Sequence, residues 1–283
     1  MRLVHGAAEL CAQLVVWRAE GLRIALVPTM GNLHRGHLAL VAKARELADR
    51  VIVSVFVNPL QFGPNEDFGR YPRTLAADSA QLEAAGTDLV FAPPVEEVYV
   101  NGFPPATTIT VSPLSAQLDG LFRPGFFTGV ATVVAIFFDL VQPEIAVFGE
   151  KDWQQLQIVR RMVSDLRLGI EVIGLATERD DDGLALSSRN QYLSDAERAR
   201  APAIHLALQA VATDLRAGRR DFAALCAVQR KALERLDFRL QYFEVRAPDL
   251  GQATANGRDF VILIAAMLGT TRLIDNVRVS IAA

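Results

Sequence analysis

Leu22-Arg23-Ile24-Ala25-Leu26-Val27-Pro28-Thr29-Met30-Gly31-Asn32-Leu33-His34-Arg35-Gly36-His37-Leu38 is the stretch whose reading decides the fold. A largely apolar run, a Pro/Gly turn and then helix-forming residues read as strand, loop and helix start. That order puts His34 and His37 at the mouth of a helix. The first backbone N–H groups there lack intrahelical partners, and the helix dipole favours anions, phosphate above all. Gly36 between the two histidines lets backbone approach a ligand closely. Thr29 and Met30 share the loop and are candidates for lining a triphosphate path through their N–H groups. Two other readings stand beside this one: histidines satisfied within a capping loop, or part of a zinc site. Zinc usually takes three or four protein ligands. With 4 His and 2 Cys in the chain, no cluster elsewhere supplies them.

Outward from this stretch, strands and helices alternate. The pattern predicts strands over 22–27, 51–57, 88–91, 107–111, 144–148 and 170–175, and helices over 7–20, 36–48, 74–85, 126–140 and 152–166. The nearly continuous apolar strands suit burial on both faces of a parallel sheet. Alternation of this kind implies right-handed βαβ units and a doubly wound α/β sheet, whose ligands bind beyond the carboxyl ends of the strands. Three polar clusters, 28–37, 58–61 and 149–155, follow predicted strands and so gather at one sheet edge. The character changes near residue 176. A polar loop, 178–190, leads to helices over 194–217 and 221–235 and β segments near 239–246, 260–267 and 272–281, a smaller C-terminal α+β domain. The expected domains are therefore 1–176 and 177–283.

The chain has 283 residues, 51% hydrophobic and 22% charged, with net charge −3, which describes a globular protein with a full core. The acidic balance excludes the basic excess of a nucleic-acid binder but leaves nucleotides open, since these need only local cations. Cys11 and Cys226 are too few for a disulfide framework. No apolar run is long enough to span a membrane, and Met1 to Gly6 does not open a secretory signal. A cytoplasmic protein is expected.

Other polar segments carry chemistry only in combination. Asn58-Pro59-Leu60-Gln61 offers amides suited to hydroxyls and a carboxylate, or is simply an Asn-Pro turn. In Gly149-Glu150-Lys151-Asp152-Trp153-Gln154-Gln155, Lys151 can meet phosphate as a point charge, while Asp152 and Gln155 also fit a helix cap and its capping box. Ser187-Ser188-Arg189-Asn190 reads as a phosphate clamp or a solvated loop. Asp78 suits Mg²⁺ or a helix surface. Asp119 and Arg123 form another charged loop pair of open meaning.

The H-x-G-H spacing of His34 to His37 resembles the signature of nucleotidyltransferases, a superfamily that attacks the α-phosphate of nucleoside triphosphates. The wider set resembles the pantothenate synthetase (pantoate–β-alanine ligase) family. It comprises Pro28-Thr29-Met30-Gly31 with the histidines, Phe56-Val57-Asn58-Pro59 with Gln61-Phe62, Tyr71-Pro72-Arg73-Thr74, Phe148-Gly149-Glu150-Lys151-Asp152, Asp182-Gly183-Leu184-Ala185 with Ser187-Ser188-Arg189-Asn190, and Leu273-Ile274-Asp275-Asn276.

The resemblance implies a Rossmann-like nucleotidyltransferase fold whose first domain binds ATP and pantoate and whose second is a lid. It implies ATP-dependent condensation of pantoate with β-alanine through a pantoyl adenylate, releasing pyrophosphate and then AMP. It assigns ATP to Met30, His34, His37, Gly149, Lys151, Asp152, Ser187, Ser188 and Arg189, beside the loop candidate Thr29, with His34, His37, Lys151 and Arg189 acting on the reacting phosphates. Pantoate falls to Gln61 and Gln155, with Asn58 and Arg123 as further substrate contacts. Mg²⁺ falls to Asp78, with Gln81 nearby, and a homodimer is implied. Two departures stand out: Phe126 where the family often has His, and Glu178 where it usually has an apolar residue. A nucleotide-retaining transferase and a non-enzymatic nucleotide sensor are the competing readings.

Overall fold

The computed structural model describes residues 1–64 and 66–281. They cluster into two units: Met1–Glu150 with Gln155–Ala176, and Lys151–Gln154 with Thr177–Ala283.

The first unit runs β1 (Arg2–Val4), α1 (Ala7–Ala19), β2 (Ile24–Thr29), α2 (Arg35–Leu47), β3 (Arg50–Val55), α3 (Leu75–Ala84), β4 (Leu89–Phe91) and α4 (Val95–Val98). It continues through α5 (Asp119–Phe122), α6 (Phe126–Val141), β5 (Ile145–Gly149), α7 (Trp153–Leu166) and β6 (Glu171–Leu175). The strands form one sheet in the order β1-β4-β3-β2-β5-β6, with every pair parallel. This is the doubly wound, Rossmann-like architecture that the alternating pattern predicts. Ile24 to Val27 of β2 and Val51 to Val53 of β3 are buried, which explains their apolar character on both faces. The chain leaves β2 towards β3 on one side and comes back to β5 on the other. Such a reversal opens a crevice beyond the carboxyl ends of the two central strands. The loops after Thr29 and Gly149 both start there.

One expectation for this unit is corrected. Residues 107–111 form no strand: the Ile109 N–H donates to Thr132 Oγ1 (2.9 Å) and Thr110 Oγ1 meets Thr128 Oγ1 (2.8 Å), so the segment lies along α6. The sheet edge next to β4 is taken by β1, whose three residues carry too short a pattern to read.

The second unit contains α8 (Asp195–Arg200), α9 (Ala203–Arg216), α10 (Phe222–Glu234), β7 (Phe238–Arg246), β8 (Asp259–Leu268) and β9 (Thr271–Ser280). The strands form an antiparallel sheet, β7-β8-β9, against whose apolar face Ile204, Leu208, Val211 and Leu215 of α9 pack. The helix expected over 194–217 is two helices. Pro202 lacks an N–H and its ring clashes with a continuing helix, so the chain breaks between α8 and α9. Among the described residues, no helix is long and apolar enough to cross a membrane.

Candidate active site

The loop between β2 and α2 is held from three sides. Gly31 (φ +80°) and Asn32 (φ +51°) both take left-handed backbone, and a Cβ on Gly31 would stand 3.0 Å from both Asp78 Oδ2 and Val55 Cγ1, so glycine is required there. Thr29 Oγ1 donates to the Ser54 carbonyl (2.7 Å) and accepts the Gly31 N–H (3.2 Å), which commits this hydroxyl to the loop. Asp78 Oδ2 accepts the Asn32 N–H (2.9 Å) and the Thr74 hydroxyl (3.0 Å), and Oδ1 accepts the Leu33 N–H (2.9 Å). Met30 lies half-buried between these ties.

The loop delivers His34 as the N-cap of α2. Its Nδ1 accepts the Gly36 N–H (3.2 Å), and His37 Nδ1 accepts the His34 N–H (3.2 Å), a capping box made of two imidazoles with ring centroids 4.1 Å apart. The His37 N–H bonds back to the His34 carbonyl (2.8 Å). The expectation of bare helix amides is therefore corrected: the Gly36 and His37 amides are engaged within the protein. A ring whose Nδ1 accepts an amide proton carries its own proton on Nε2. Both histidines are thus set as neutral Nε2–H donors. Among the described residues, no group of three or more His, Cys, Asp or Glu is arranged to hold a metal ion, so the zinc reading has no ligand set.

Asp78, the candidate Mg²⁺ ligand, is turned into the protein, and three protein donors already take its carboxylate oxygens. The side chain is 1% exposed. Its carboxylate organises the histidine loop.

Asn58 is corrected in a similar way. It is 1% exposed. Its Nδ2 donates to the Gly129 carbonyl (3.1 Å) and Gln61 Oε1 (3.0 Å), while Oδ1 accepts the Tyr99 hydroxyl (2.7 Å) and the Leu60 N–H (3.2 Å). No capacity is left for a substrate. The Gly129 carbonyl and the Leu60 N–H fix which end of the Asn58 amide is which, so Gln61 must accept with Oε1. The Gln61 group left to offer is the Nε2 donor, which suits a carboxylate or hydroxyl oxygen. Burial pushes the Tyr99 hydroxyl well above its ordinary pKa, outweighing the Asn58 hydrogen bond, and keeps it a proton donor.

Arg123, expected to touch substrate, is occupied. Nε and Nη2 form a bidentate pair with Glu66 (2.7 and 2.6 Å), Nη2 also donates to the Gln61 carbonyl (3.0 Å), and the guanidinium lies 3.6 Å from the centroid of the Phe126 ring. Phe126, the departure from the expected His, thus serves as a cation–π platform. Glu178, the other departure, is exposed.

Gly149 ends β5, and a Cβ there would meet nothing within 4 Å, so packing does not demand the glycine. Gln155 lies half-buried in the first turn of α7. In the second unit, Lys151 and Asp152 sit in a 3-10 turn, and the Lys151 carbonyl accepts Asn276 Nδ2 (2.9 Å). Ser187 caps a 3-10 turn over Ser188–Tyr192, its Oγ accepting the Arg189 N–H (3.3 Å). The preceding segment is a hairpin rather than an open loop: Arg179 and Ala185 form an antiparallel bridge, and Leu186 N–H donates to the Glu178 carbonyl (2.9 Å).

A family model described as pantoate-beta-alanine ligase matches residues 2–278. The chain belongs to the pantoate-beta-alanine ligase family. It is a ligase. A pantothenate synthetase from Pseudomonas savastanoi is 53% identical over 281 residues, covering 99% of both chains. Another from Pseudomonas putida is 54% identical over 277 residues, covering 98% of this chain and 96% of that one. The crystal structure of a pantothenate synthetase from Thermus thermophilus superposes with a TM-score of 0.91 at 48% identity, covering 98% and 99% of the two chains. A pantoate-beta-alanine ligase from Francisella tularensis, complexed with beta-gamma ATP and beta-alanine, gives 0.79 at 31% identity, covering 98% and 97%. For this ligase family member, sequence reasoning missed Tyr99, Glu66 and Gly129. Each acts through a partner remote in the chain, which no local pattern signals.

Proposed function

We propose that this ligase joins pantoate to β-alanine in two steps on ATP. The pantoate carboxylate attacks the α-phosphate, giving pantoyl adenylate and pyrophosphate. The β-alanine amine then attacks the acyl carbon, the acyl–oxygen bond breaks, and pantothenate and AMP leave as the amine loses a proton. The observation that carries this reading is the imidazole capping box, which makes His34 and His37 paired Nε2–H donors beside the sheet's reversal.

A carboxylate is already ionised at neutral pH, so the first step needs no general base. It needs in-line positioning and donors for charge that builds on phosphate oxygens. His34 and His37 supply neutral donors, and Lys151, Ser187, Ser188 and Arg189 of the second unit supply further phosphate contacts. Met30 and the backbone around Gly149 and Asp152 serve the nucleotide. Gln61, oriented by Asn58, and Gln155 hold pantoate. Asp78 is left out as a metal ligand, and no step is assigned to Mg²⁺, which the reading retains only as the triphosphate's counter-ion. The segment 177–283 shields the adenylate from water, and the active form is a cytoplasmic homodimer. The Francisella tularensis relative, complexed with a form of ATP and beta-alanine, supports the choice of these ligands.

The test is pyrophosphate release that depends on pantoate, and AMP formation that depends on β-alanine. His34→Asn keeps a cap but loses the distant donor, and should slow pyrophosphate release about a hundredfold or more, in line with the loss of one oxyanion donor. Pyrophosphate release without pantoate, or an unchanged rate in His34→Asn, overturns the reading.

A further inference from the structure

Leu273-Ile274-Asp275-Asn276 is a family motif that the proposed chemistry leaves without a task. It lies on β9, the edge strand of the second unit's sheet, in unbroken register with β8: Ile264 faces Asp275 and Leu263 faces Asn276. Both polar side chains are buried, at 4% and 5% exposure. Buried polar groups must be satisfied, and the partners they take are informative.

Asn276 Nδ2 reaches the Lys151 carbonyl, 125 residues earlier in the chain. Asp275 takes Arg179 in a bidentate pair, Nη1 to Oδ2 (2.6 Å) and Nη2 to Oδ1 (2.8 Å). The same guanidinium donates to the Asn276 carbonyl (3.2 Å) at the strand's free edge and to the Gly183 carbonyl (3.1 Å) across its own hairpin. Asp275 Oδ1 also accepts the Asn276 N–H (2.7 Å), which stiffens the joint between the two residues. The hairpin that Arg179 anchors runs straight into Ser187, Ser188 and Arg189.

Two adjacent residues of a rigid strand therefore hold the two segments that carry the unit's phosphate-binding groups. A buried Arg–carboxylate pair is a weak source of stability, because desolvation offsets attraction, but its fork geometry fixes direction well. Lys and Arg side chains are long and lose much freedom on ordering, so the placement of their backbone roots matters.

We propose that Asp275 and Asn276 form a positioning pair, by which the edge of the C-terminal sheet sets where Lys151 and the Ser187–Arg189 segment stand for the nucleotide's phosphates. This rests on the reading that those segments bind ATP.

The experiment is a double-mutant cycle on the full-length enzyme. Asn276→Ala, Lys151→Ala and the double variant are compared for kcat and KM for ATP, with thermal midpoints measured alongside. Asn276→Ala should weaken kcat/KM for ATP by about fivefold or more, the scale of one hydrogen bond. In the Lys151→Ala background that effect should vanish, since the ammonium it positions is gone, while the shift in thermal midpoint persists. If Asn276→Ala is not recovered folded, Asn276→Ser is read in its place. Arg179→Lys, which keeps the charge but loses the fork, should weaken ATP use in the same direction. If Lys151→Ala leaves ATP kinetics unchanged, the nucleotide reading itself fails. If Lys151→Ala slows the enzyme but Asn276→Ala does not, or acts equally in both backgrounds, the positioning pair is overturned.

Discussion

Asp78 Oδ1 accepts the Leu33 amide at 2.9 Å, one residue before the first histidine of the site and 45 residues from the carboxylate in sequence. With the Asn32 amide on the other oxygen, a buried acid on α3 clamps the loop that delivers His34. Asp78→Asn keeps the shape but turns one acceptor into a donor facing an N–H. Leaving a buried amide unsatisfied costs about 1–3 kcal/mol. Urea unfolding should register that loss, and kcat should fall. The apparent Mg²⁺ affinity read from the activity titration should not change. A large rise in the Mg²⁺ requirement with normal stability is the result that restores Asp78 as a metal ligand.

Tyr99→Phe removes the hydroxyl that donates to Asn58 Oδ1 and keeps the ring. Asn58 Oδ1 loses a donor, and Gln61 loses part of what orients its amide. KM for pantoate should rise about two- to tenfold, the range of one net hydrogen bond, with kcat for the β-alanine step little changed. An unchanged pantoate KM in a well-folded variant counts against this arrangement.

Gly129 lies where α6 meets the turn that carries Gln61. An added Cβ would stand 2.4 Å from the Leu60 carbonyl oxygen, a backbone atom that cannot swing aside. Gly129→Ala should therefore cost about 1–3 kcal/mol by overpacking and raise the pantoate KM by displacing Pro59–Gln61. Stability equal to wild type would show that the turn relaxes freely.

His205 lies against Asp275 (3.8 Å) and close to Arg179. Burial first, and Arg179 second, lower its pKa below the ordinary value of 6.5, with Asp275 opposing them. The folded state then binds fewer protons than the unfolded chain, so stability rises with pH across this window. The contribution is complete above about pH 6.5 and is lost as pH falls through the lower folded value. Denaturant midpoints at pH 7 and pH 5 should show a smaller acid loss in His205→Gln than in wild type. Equal losses in both proteins would remove His205 from this account.

Burial pushes the Cys226 thiol up to about 11, whereas Cys11 is exposed. Thiolate is the reactive form. Alkylation of the native protein at pH 8, read by peptide mass spectrometry, should label Cys11 and spare Cys226 until the chain is unfolded.

The histidine loop was legible in the sequence because everything that defines it is local: an apolar strand, turn residues with left-handed backbone and a helix start follow one another within seventeen residues. The parallel sheet was legible for the same reason. What escaped depends on partners distant in the chain. Residues 107–111 look like a strand until their bonds to Thr128 and Thr132 are seen. Asn58 and Arg123 look free to bind until Tyr99 and Glu66 claim them. Lys151–Gln154 joins the second unit across a hydrogen bond to Asn276 that no local pattern announces.

The imidazole capping box narrows what can stand at position 34. The side chain there takes an amide proton near its own backbone and, in the proposed function, presents a proton at its far edge. Ser, Asp and Asn do the first and are too short for the second; Lys does the second and cannot do the first. Histidine meets both demands with a rigid ring and no net charge, so a variant library at this codon should return a single functional letter.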